Sequence, residues 1–311
     1  MADIIISEFM DEAAVAHLRS DFEVNYAPDL VDRPQALTEA LGGARALIVR
    51  NRTQVTASLL DAGTTLECVG RLGVGLDNID LPECKARGVT VYPATGANDL
   101  AVAEYVIATA LMLVRRAYLS THAVAAGDWP RQALIGGETS GRILGLIGFG
   151  SIARQVARRA SALGMHVIAH DPFVAADDPA WVMAGSRSLD ALLGEADVIS
   201  LHTPLTSGTR HLIDANALAQ MKPDAVLINA ARGGVVDEAA LANALREGRI
   251  GGAALDVFET EPLTGEAATR FAGLPNLILT PHIAGVTTES NVRVSQLIAE
   301  TVTRHLKGAQ P

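Results

Sequence analysis

The stretch Ile143-Leu144-Gly145-Leu146-Ile147-Gly148-Phe149-Gly150-Ser151-Ile152-Ala153 decides how this chain is read. An apolar run of strand length passes into Gly148-x-Gly150-x-x-Ala153. Arg154 to Leu163 then carries apolar residues at helical spacing. After Gly164 a second apolar run, Val167-Ile168-Ala169, ends at Asp171. Strand, glycine turn, helix, strand and acid follow in the order that a dinucleotide-binding βαβ unit requires. Gly148 permits the tight turn, Gly150 lets backbone approach a pyrophosphate, and Ala153 is small enough for the helix to pack on its strand. The N–H groups of Ser151 and Ile152 open the helix, where its dipole favours an anion. Asp171, about 20 residues on, is placed to take ribose hydroxyls. Its charge repels a 2′-phosphate, so NAD is expected rather than NADP. Glycines also occur in ordinary βα turns, but here the whole context of the motif is met.

The 311 residues suffice for two domains with ample core. Apolar content of 49% with 19% charged residues is that of a globular protein. The net charge of −10 comes without any basic run, which argues against nucleic acid as a partner. Met1-Ala2-Asp3-Ile4-Ile5-Ile6 lacks the cationic region and long apolar core of a signal peptide, and no run reaches membrane-spanning length. Two cysteines, Cys68 and Cys84, are too few for a disulfide framework or a Cys-based metal site. A cytoplasmic enzyme without metal and without a membrane partner is the expectation.

The rest of the chain repeats the alternation. Strands are expected at 3–6, 22–26, 46–49, 66–69 and 89–91, with helices at 11–19, 36–41, 55–60 and 82–87. That pattern implies a parallel sheet covered on both faces. This first part has no nucleotide fingerprint of its own. Pro93 to Asn98 breaks the pattern and reads as a linker. Asp99 to Ala117 is a long helix, apolar nearly all round, and therefore buried, in part against a second subunit. Beyond the cofactor unit, helices are expected at 189–193, 215–221 and 238–246, with strands at 198–201, 225–228, 253–255 and 277–279. A final helix runs from about residue 289 to 306.

In such sheets ligands bind beyond the carboxyl ends of strands, so charged residues just after strands are the candidates. Arg232, in Asn229-Ala230-Ala231-Arg232-Gly233-Gly234, can hold a carboxylate bidentately and polarise a neighbouring carbonyl, or else solvate a loop. His282, in Thr280-Pro281-His282-Ile283-Ala284-Gly285, suits proton transfer near neutral pH. His170, His202 and His211 compare with it on position alone. Glu261, in Asp256-Val257-Phe258-Glu259-Thr260-Glu261-Pro262, distinguishes His282, because it can hydrogen-bond and orient that imidazole. Glu259 is the competing acid, expected on the surface. The loop Gly73-Val74-Gly75 can cradle a substrate carboxylate on backbone N–H groups, or be a plain turn. Arg50, Arg52 and Arg71 cluster after neighbouring strands, either as a pocket for a second substrate anion or as a solvated charge run.

With these residues in view, the chain resembles the D-isomer-specific 2-hydroxyacid dehydrogenases over essentially its whole length. The segments that carry the resemblance are 73–80, 148–153, His202-Thr203-Pro204, 229–234, 256–258 with Glu261-Pro262, and 281–285. The resemblance implies an α/β fold of two Rossmann-like parallel-sheet domains. A flavodoxin-like substrate domain, residues 1–97 plus 286–311, would hold an inserted NAD-binding Rossmann domain, residues 98–285. It implies an active site in the cleft between them, and usually a homodimer. It assigns Arg232 to the substrate carboxylate and carbonyl, His282 to proton transfer and Glu261 to the support of His282. Cofactor contacts would come from Gly148, Gly150, Ser151, Ile152, Asp171, His202, Thr203, Pro204, Ala230, Ala231, Arg232, Asp256, His282 and Gly285. Substrate contacts would come from Arg50, Arg52, Arg71, Gly73, Val74, Gly75 and Arg232. Two departures are Ala153 for the third glycine and Val74, where phosphoglycerate-type members often carry Thr.

Within the family, Leu47-Ile48-Val49-Arg50 and Val69-Gly70-Arg71 look most like 3-phosphoglycerate dehydrogenases, without their regulatory domain, and the chain is also similar to 3-sulfolactate dehydrogenases. (S)-Sulfolactate has the spatial arrangement of a D-hydroxy acid, because sulfur reverses the priority order. The expected activity is reversible hydride transfer between NAD(H) and a 2-hydroxy or 2-oxo acid with a second anionic group. That acid is 3-sulfolactate/3-sulfopyruvate or 3-phosphoglycerate/3-phosphohydroxypyruvate. A glyoxylate/hydroxypyruvate reductase is the alternative enzyme, and an NAD(H)-sensing binding protein of the same fold is the alternative of another class.

Overall fold

The central strands that the alternation predicts are buried on both faces, the edge strands only partly, and each pairs with its neighbour in parallel. The computed structural model of the chain describes residues 2–308. Two units emerge, Met1–Asn98 with Val286–Pro311, and Asp99–Gly285. The first contains β1 (Ile4–Ile6), α1 (Glu12–Arg19), β2 (Val24–Tyr26), α2 (Pro34–Ala40), β3 (Ala46–Val49), α3 (Ala57–Ala62), β4 (Cys68–Arg71), α4 (Leu81–Ala86) and β5 (Thr90–Pro93). Its sheet has the order β2-β1-β3-β4-β5, the flavodoxin-like arrangement. The apolar strands β1 and β3 are fully buried, as a sheet covered on both faces requires. The C-terminal helix Thr288–Leu306 packs on one face with Val294, Ile298, Ala299 and Val302.

Pairing moves some strand ends. Val49 pairs with Arg71, so β4 runs through Arg71, where apolarity alone predicts an end at Val69. In the same way Tyr92 and Pro93 pair with Gly70 and Arg71, so β5 absorbs the start of the expected linker. Val55 forms a bridge with Ile79 rather than opening α3, which begins after the Thr56 cap.

The second unit contains α5 (Asp99–Arg115), α6 (Thr121–Ala125), β6 (Ile143–Ile147), α7 (Ser151–Ala162), β7 (His166–His170), β8 (Gly185–Ser186), α8 (Leu189–Glu195), β9 (Val198–Leu201), α9 (Ala215–Gln220), β10 (Val226–Asn229), α10 (Glu238–Arg246), β11 (Gly252–Leu255), α11 (Gly265–Thr269) and β12 (Leu277–Leu279). Its sheet order, β12-β11-β10-β9-β6-β7-β8, reverses direction at β6 and β9, the switch point beside which dinucleotides bind. Short polar caps start the helices. Ser188, Asp214 and Asp237 each accept an N–H from the first turn of α8, α9 and α10.

Helix α5 buries Ala103, Val106, Ala110 and Leu113 against the small residues Ala153, Val156, Ala157 and Ala160 of α7. Its other side leaves Leu100, Leu111 and Met112 partly exposed, so the helix is apolar all round but buried on one side within its unit. It stops at Arg116, which takes a left-handed conformation at φ 60°. The following segment, for which no periodicity predicts an element, carries Leu119, Val124, Trp129 and Ile135 on its surface, with Trp129 80% exposed.

Candidate active site

The glycine turn follows β6 directly. Gly148 has φ +89°, and a Cβ there would lie 2.5 Å from the His202 carbonyl oxygen, so both conformation and space demand glycine. At Gly150 a Cβ would meet nothing within 4 Å, which leaves open space over the start of α7. Asp171 closes the turn. Its Oδ2 accepts the Phe149 N–H at 2.8 Å and its Oδ1 accepts the Phe173 N–H at 2.9 Å. A carboxylate has about four acceptor sites, so each oxygen keeps one for a ribose hydroxyl. Thr203 Oγ1 is buried and has no hydrogen-bond partner among the described residues, a polar atom that a bound ligand would satisfy. Together these features fit a dinucleotide. Beside them His202 Nε2 lies 3.0 Å from Ser200 Oγ, and burial pushes its imidazole down to about 4, so it stays neutral.

On the opposite side of the switch point β10 ends at Asn229, a buried amide that shapes the loop after it. Asn229 Oδ1 accepts the Ala231 N–H at 3.1 Å, and its Nδ2 donates to the Arg232 carbonyl at 2.9 Å. Arg232 Nη1 donates to the Ala231 carbonyl at 2.6 Å. Gly233 is forced by contact, since a Cβ would sit 1.7 Å from the Phe258 carbonyl oxygen. The Arg232 loop therefore lies directly on the loop that follows β11.

That second loop presents Glu261. Its Oε1 accepts the Phe258 N–H at 3.0 Å, and its Oε2 lies 2.7 Å from His282 Nδ1. Burial alone would push the Glu261 carboxyl up. The His282 hydrogen bond, the Phe258 N–H and the charges of His282 and Arg232 outweigh burial and hold it below the usual carboxylate value. Glu261 is thus an anion throughout the neutral range. As an acceptor it fixes the proton on Nδ1, and Nε2 is the ring nitrogen turned away from this contact.

His282 itself stands at φ +56°, a left-handed conformation rare for a residue with a side chain. Asp256, 1% exposed, holds it there. The Asp256 carbonyl accepts the His282 N–H, its Oδ1 accepts the Ile283 N–H, and its Oδ2 accepts the Ala284 N–H, each at 2.8 Å. Thr280 Oγ1 donates to the same Oδ1 at 2.6 Å, and the Tyr105 hydroxyl lies 2.6 Å from Thr280 Oγ1. Composition can show an acid after a strand here, but not that three consecutive N–H groups converge on it. Tyr105 and Thr280 carry no sequence signal at all.

In the first unit the loop that carries Arg50 and Arg52 is held by Glu8, a buried acid just after β1. Its carboxylate accepts the N–H groups of Arg50, Arg52 and Thr53 at 2.8, 3.1 and 3.0 Å. Glu8 stands after a strand too, but the reading of charged residues there passes over it, and that position is the signal that could find it. Arg50 Nη2 donates to Asn291 Oδ1 at 2.8 Å, and burial lowers the pKa of its guanidinium against the opposing charge of Glu8. Arg52 points elsewhere, to an exposed ion pair with Asp32. Arg71 lies over Gly73, where a Cβ would fall 1.5 Å from its Nη1. The Gly73 N–H is spent on the Arg71 carbonyl at 2.7 Å. Among the described residues no group of three or more His, Cys, Asp or Glu is placed to hold a metal ion, and no helix is long and apolar enough to cross a membrane.

A dinucleotide turn, a carboxylate-held histidine and an arginine, all at the carboxyl edge of one parallel sheet, define a nicotinamide-dependent oxidoreductase. The family pattern "D-isomer specific 2-hydroxyacid dehydrogenase, NAD binding domain" matches residues 107–284. The chain is 57% identical over 307 residues to the (S)-sulfolactate dehydrogenase of Chromohalobacter salexigens, covering 98% of this chain and 99% of that one. It is 37% identical over 301 residues to the hydroxypyruvate reductase of Thermotoga maritima, covering 97% of each. It is 37% identical over 308 residues to the D-3-phosphoglycerate dehydrogenase of Synechocystis, covering 99% of this chain but only 55% of that enzyme. Among solved structures, D-lactate dehydrogenase from Aquifex aeolicus complexed with NAD and lactic acid matches with a TM-score of 0.85 at 31% identity, covering 98% of this chain and 96% of that one. The chain belongs to the D-isomer specific 2-hydroxyacid dehydrogenases and carries their NAD-binding domain.

Thr280→Val leaves Asp256 one donor short, and should lower stability by about 1.5–3 kcal/mol in urea unfolding. Tyr105→Phe, which spares that donor, should cost about 1 kcal/mol. His202 gives a pH prediction. Between about pH 6.5 and 4 the unfolded chain binds a proton that the folded imidazole refuses, so stability falls as pH falls through this window. The full contribution is on the order of 3 kcal/mol. His202→Asn should flatten the acid limb of stability against pH; an unchanged limb would refute this assignment.

Proposed function

We propose that the substrate pair is a 2-hydroxy acid and its 2-oxo acid bearing a second anion, with 3-sulfolactate and 3-sulfopyruvate first. The observation that carries this reading is the half-buried Arg50, whose guanidinium is held by the neutral amide of Asn291 rather than by a carboxylate hydrogen bond, within a chain 57% identical to an (S)-sulfolactate dehydrogenase. Arg50 and Arg71 bind the sulfonate, and Arg52 gives way to Asp32. The N–H groups of Val74 and Gly75 and the guanidinium of Arg232 take the carboxylate, and Arg232 also polarises the carbonyl. His282 Nε2 donates its proton to the carbonyl oxygen in reduction and removes it from the hydroxyl in oxidation, with Glu261 balancing the imidazolium charge. NAD, when bound, supplies the hydride donor or acceptor. Gly148, Gly150, Ser151 and Ile152 would hold its pyrophosphate and Asp171 its ribose. His202, Thr203, Pro204, Ala230, Ala231, Asp256 and Gly285 would enclose the remainder.

A second reading, 3-phosphoglycerate, rests on the D-3-phosphoglycerate dehydrogenase relatives and on the same two arginines. We also infer a homodimer in which the second copy covers Leu111, Met112, Leu119, Trp129 and Ile135. The support is their exposure on one helix and the segment after it, and a cavity of about 350 Å³ that Arg115, Val124, Trp129 and Arg131 line there.

The deciding assay follows absorbance at 340 nm with NAD and 3-sulfolactate, 3-phosphoglycerate, D-lactate or D-glycerate. Arg50→Ala should cost about 2–4 kcal/mol in kcat/KM on the preferred dianion or trianion and little on D-lactate. Equal losses on all four would sink the second-anion site. His282→Ala should abolish turnover while NADH still binds; retained turnover would remove His282 as the proton donor. Trp129→Glu should convert the dimer to monomer in sedimentation, and a wild-type sedimentation profile would reject the proposed face.

A further inference from the structure

Glu238 is a buried carboxylate, 3% exposed, that the reaction described above does not use. It is the first residue of α10, yet that helix is already capped by Asp237, whose side chain accepts the Ala240 N–H. A buried acid is costly unless donors converge on it. Here they come from the catalytic loop. Glu238 Oε1 accepts the Glu259 N–H at 2.6 Å, and in return Glu259 Oε1 accepts the Glu238 N–H at 3.2 Å. Arg270 Nη1 bridges the two acids, 3.1 Å from Glu238 Oε2 and 3.8 Å from Glu259 Oε2. His211 Nε2 approaches Glu259 Oε1 at 3.2 Å.

We propose that Glu238 and Glu259, joined by Arg270, are positioning residues that lock the loop 258–261 so that the Glu261 carboxylate stays on His282. This rests on the assignment of Glu261 and His282 as the proton-transfer pair. Glu261 and His282 have side chains 33% and 43% exposed, so their own packing does not immobilise them. The loop does, from three directions. Phe258 is buried against Phe271, the neighbour of Arg270 in sequence, with ring centroids 6.1 Å apart. The Phe258 N–H is held by Glu261 itself. The Glu259 N–H is held by Glu238, on a rigid helix. The Arg232 loop also bears on this segment through Gly233, so a shift at Glu259 would displace both the acid pair and the arginine. Catalytic groups tolerate displacements of only about 0.5 Å, which is the scale on which such a clasp acts.

The test uses the full chain with NADH, comparing Glu238→Ala, Glu238→Gln and Arg270→Met with wild type and with His282→Ala. Readouts are kcat, KM, NADH dissociation constant and the pH dependence of kcat for reduction. Glu238→Ala should lower kcat about tenfold or more, with KM and NADH affinity changed by less than about twofold. The midpoint of its pH profile should move to lower pH as Glu261 loosens from His282. Glu238→Gln keeps an oxygen for the Glu259 N–H and should recover part of the loss. If Glu238→Ala does not fold, Arg270→Met, which leaves the reciprocal N–H bonds in place, should show a smaller fall in kcat with the same direction of pH shift. Folded Glu238→Ala or Arg270→Met enzyme with wild-type kcat and pH midpoint overturns the proposal while the catalytic pair stands. Full activity of His282→Ala overturns the pair itself.

Discussion

The carboxylate of Asp256 is the constraint on which the site turns. Left-handed backbone at a histidine costs on the order of 1–2 kcal/mol, and it persists only where the surroundings over-determine it. Asp256 does so by taking the N–H groups of His282, Ile283 and Ala284 on its carbonyl and two carboxylate oxygens. The acid is itself fixed, because it ends β11 inside a parallel sheet and receives the Thr280 hydroxyl. The imidazole is therefore aimed by the sheet, through one side chain, rather than by the packing of its own exposed ring. Glu261 then needs only to hold Nδ1.

The fold was legible because its signals are local and mutually consistent. A parallel sheet buried on both faces writes its strands as short apolar runs, and Gly148-Phe149-Gly150 with Asp171 leaves few other geometries for the turn between two of them. Strand ends were less legible, since partners set them: Arg71 and Tyr92 are strand residues only because Val49 and Gly70 lie opposite. The segment after Arg116 was silent, having neither helical nor strand period. In the site, residue types that stand after strands were visible, Arg232, Glu261 and His282 among them. What holds them was not. Thr280, Tyr105 and Asn229 act through hydrogen bonds that depend on which loops face each other, and spacing in a sequence does not encode that.

Charge is managed differently around Glu261 and around Glu8. Around Glu261, anions and cations meet at close range. Glu261 sits on His282, and Glu238 and Glu259 share Arg270. Among the described residues, Glu8 makes no hydrogen bond to a cationic side chain. It takes three backbone N–H groups, and Arg50 is steadied instead by the neutral amide of Asn291. An arginine held by an amide keeps its full charge for a ligand, whereas one held by a carboxylate, as Arg52 is by Asp32, has part of that charge already answered.

The way Glu8 grips its loop separates scaffold from selectivity. Because Glu8 holds only main-chain groups, its grip on the loop does not depend on the side chains at positions 50 and 52. The loops that carry Arg232 and Glu261 have no such latitude: Gly233 presses on Phe258, and each depends on the contour of the other. On the proposed reading, in which this loop meets the second anion, a lineage can explore new substrates by rewriting one short loop while its reaction chemistry stays constant. Divergence in this chain's relatives should concentrate in what is recognised, not in how the hydroxyl is oxidised.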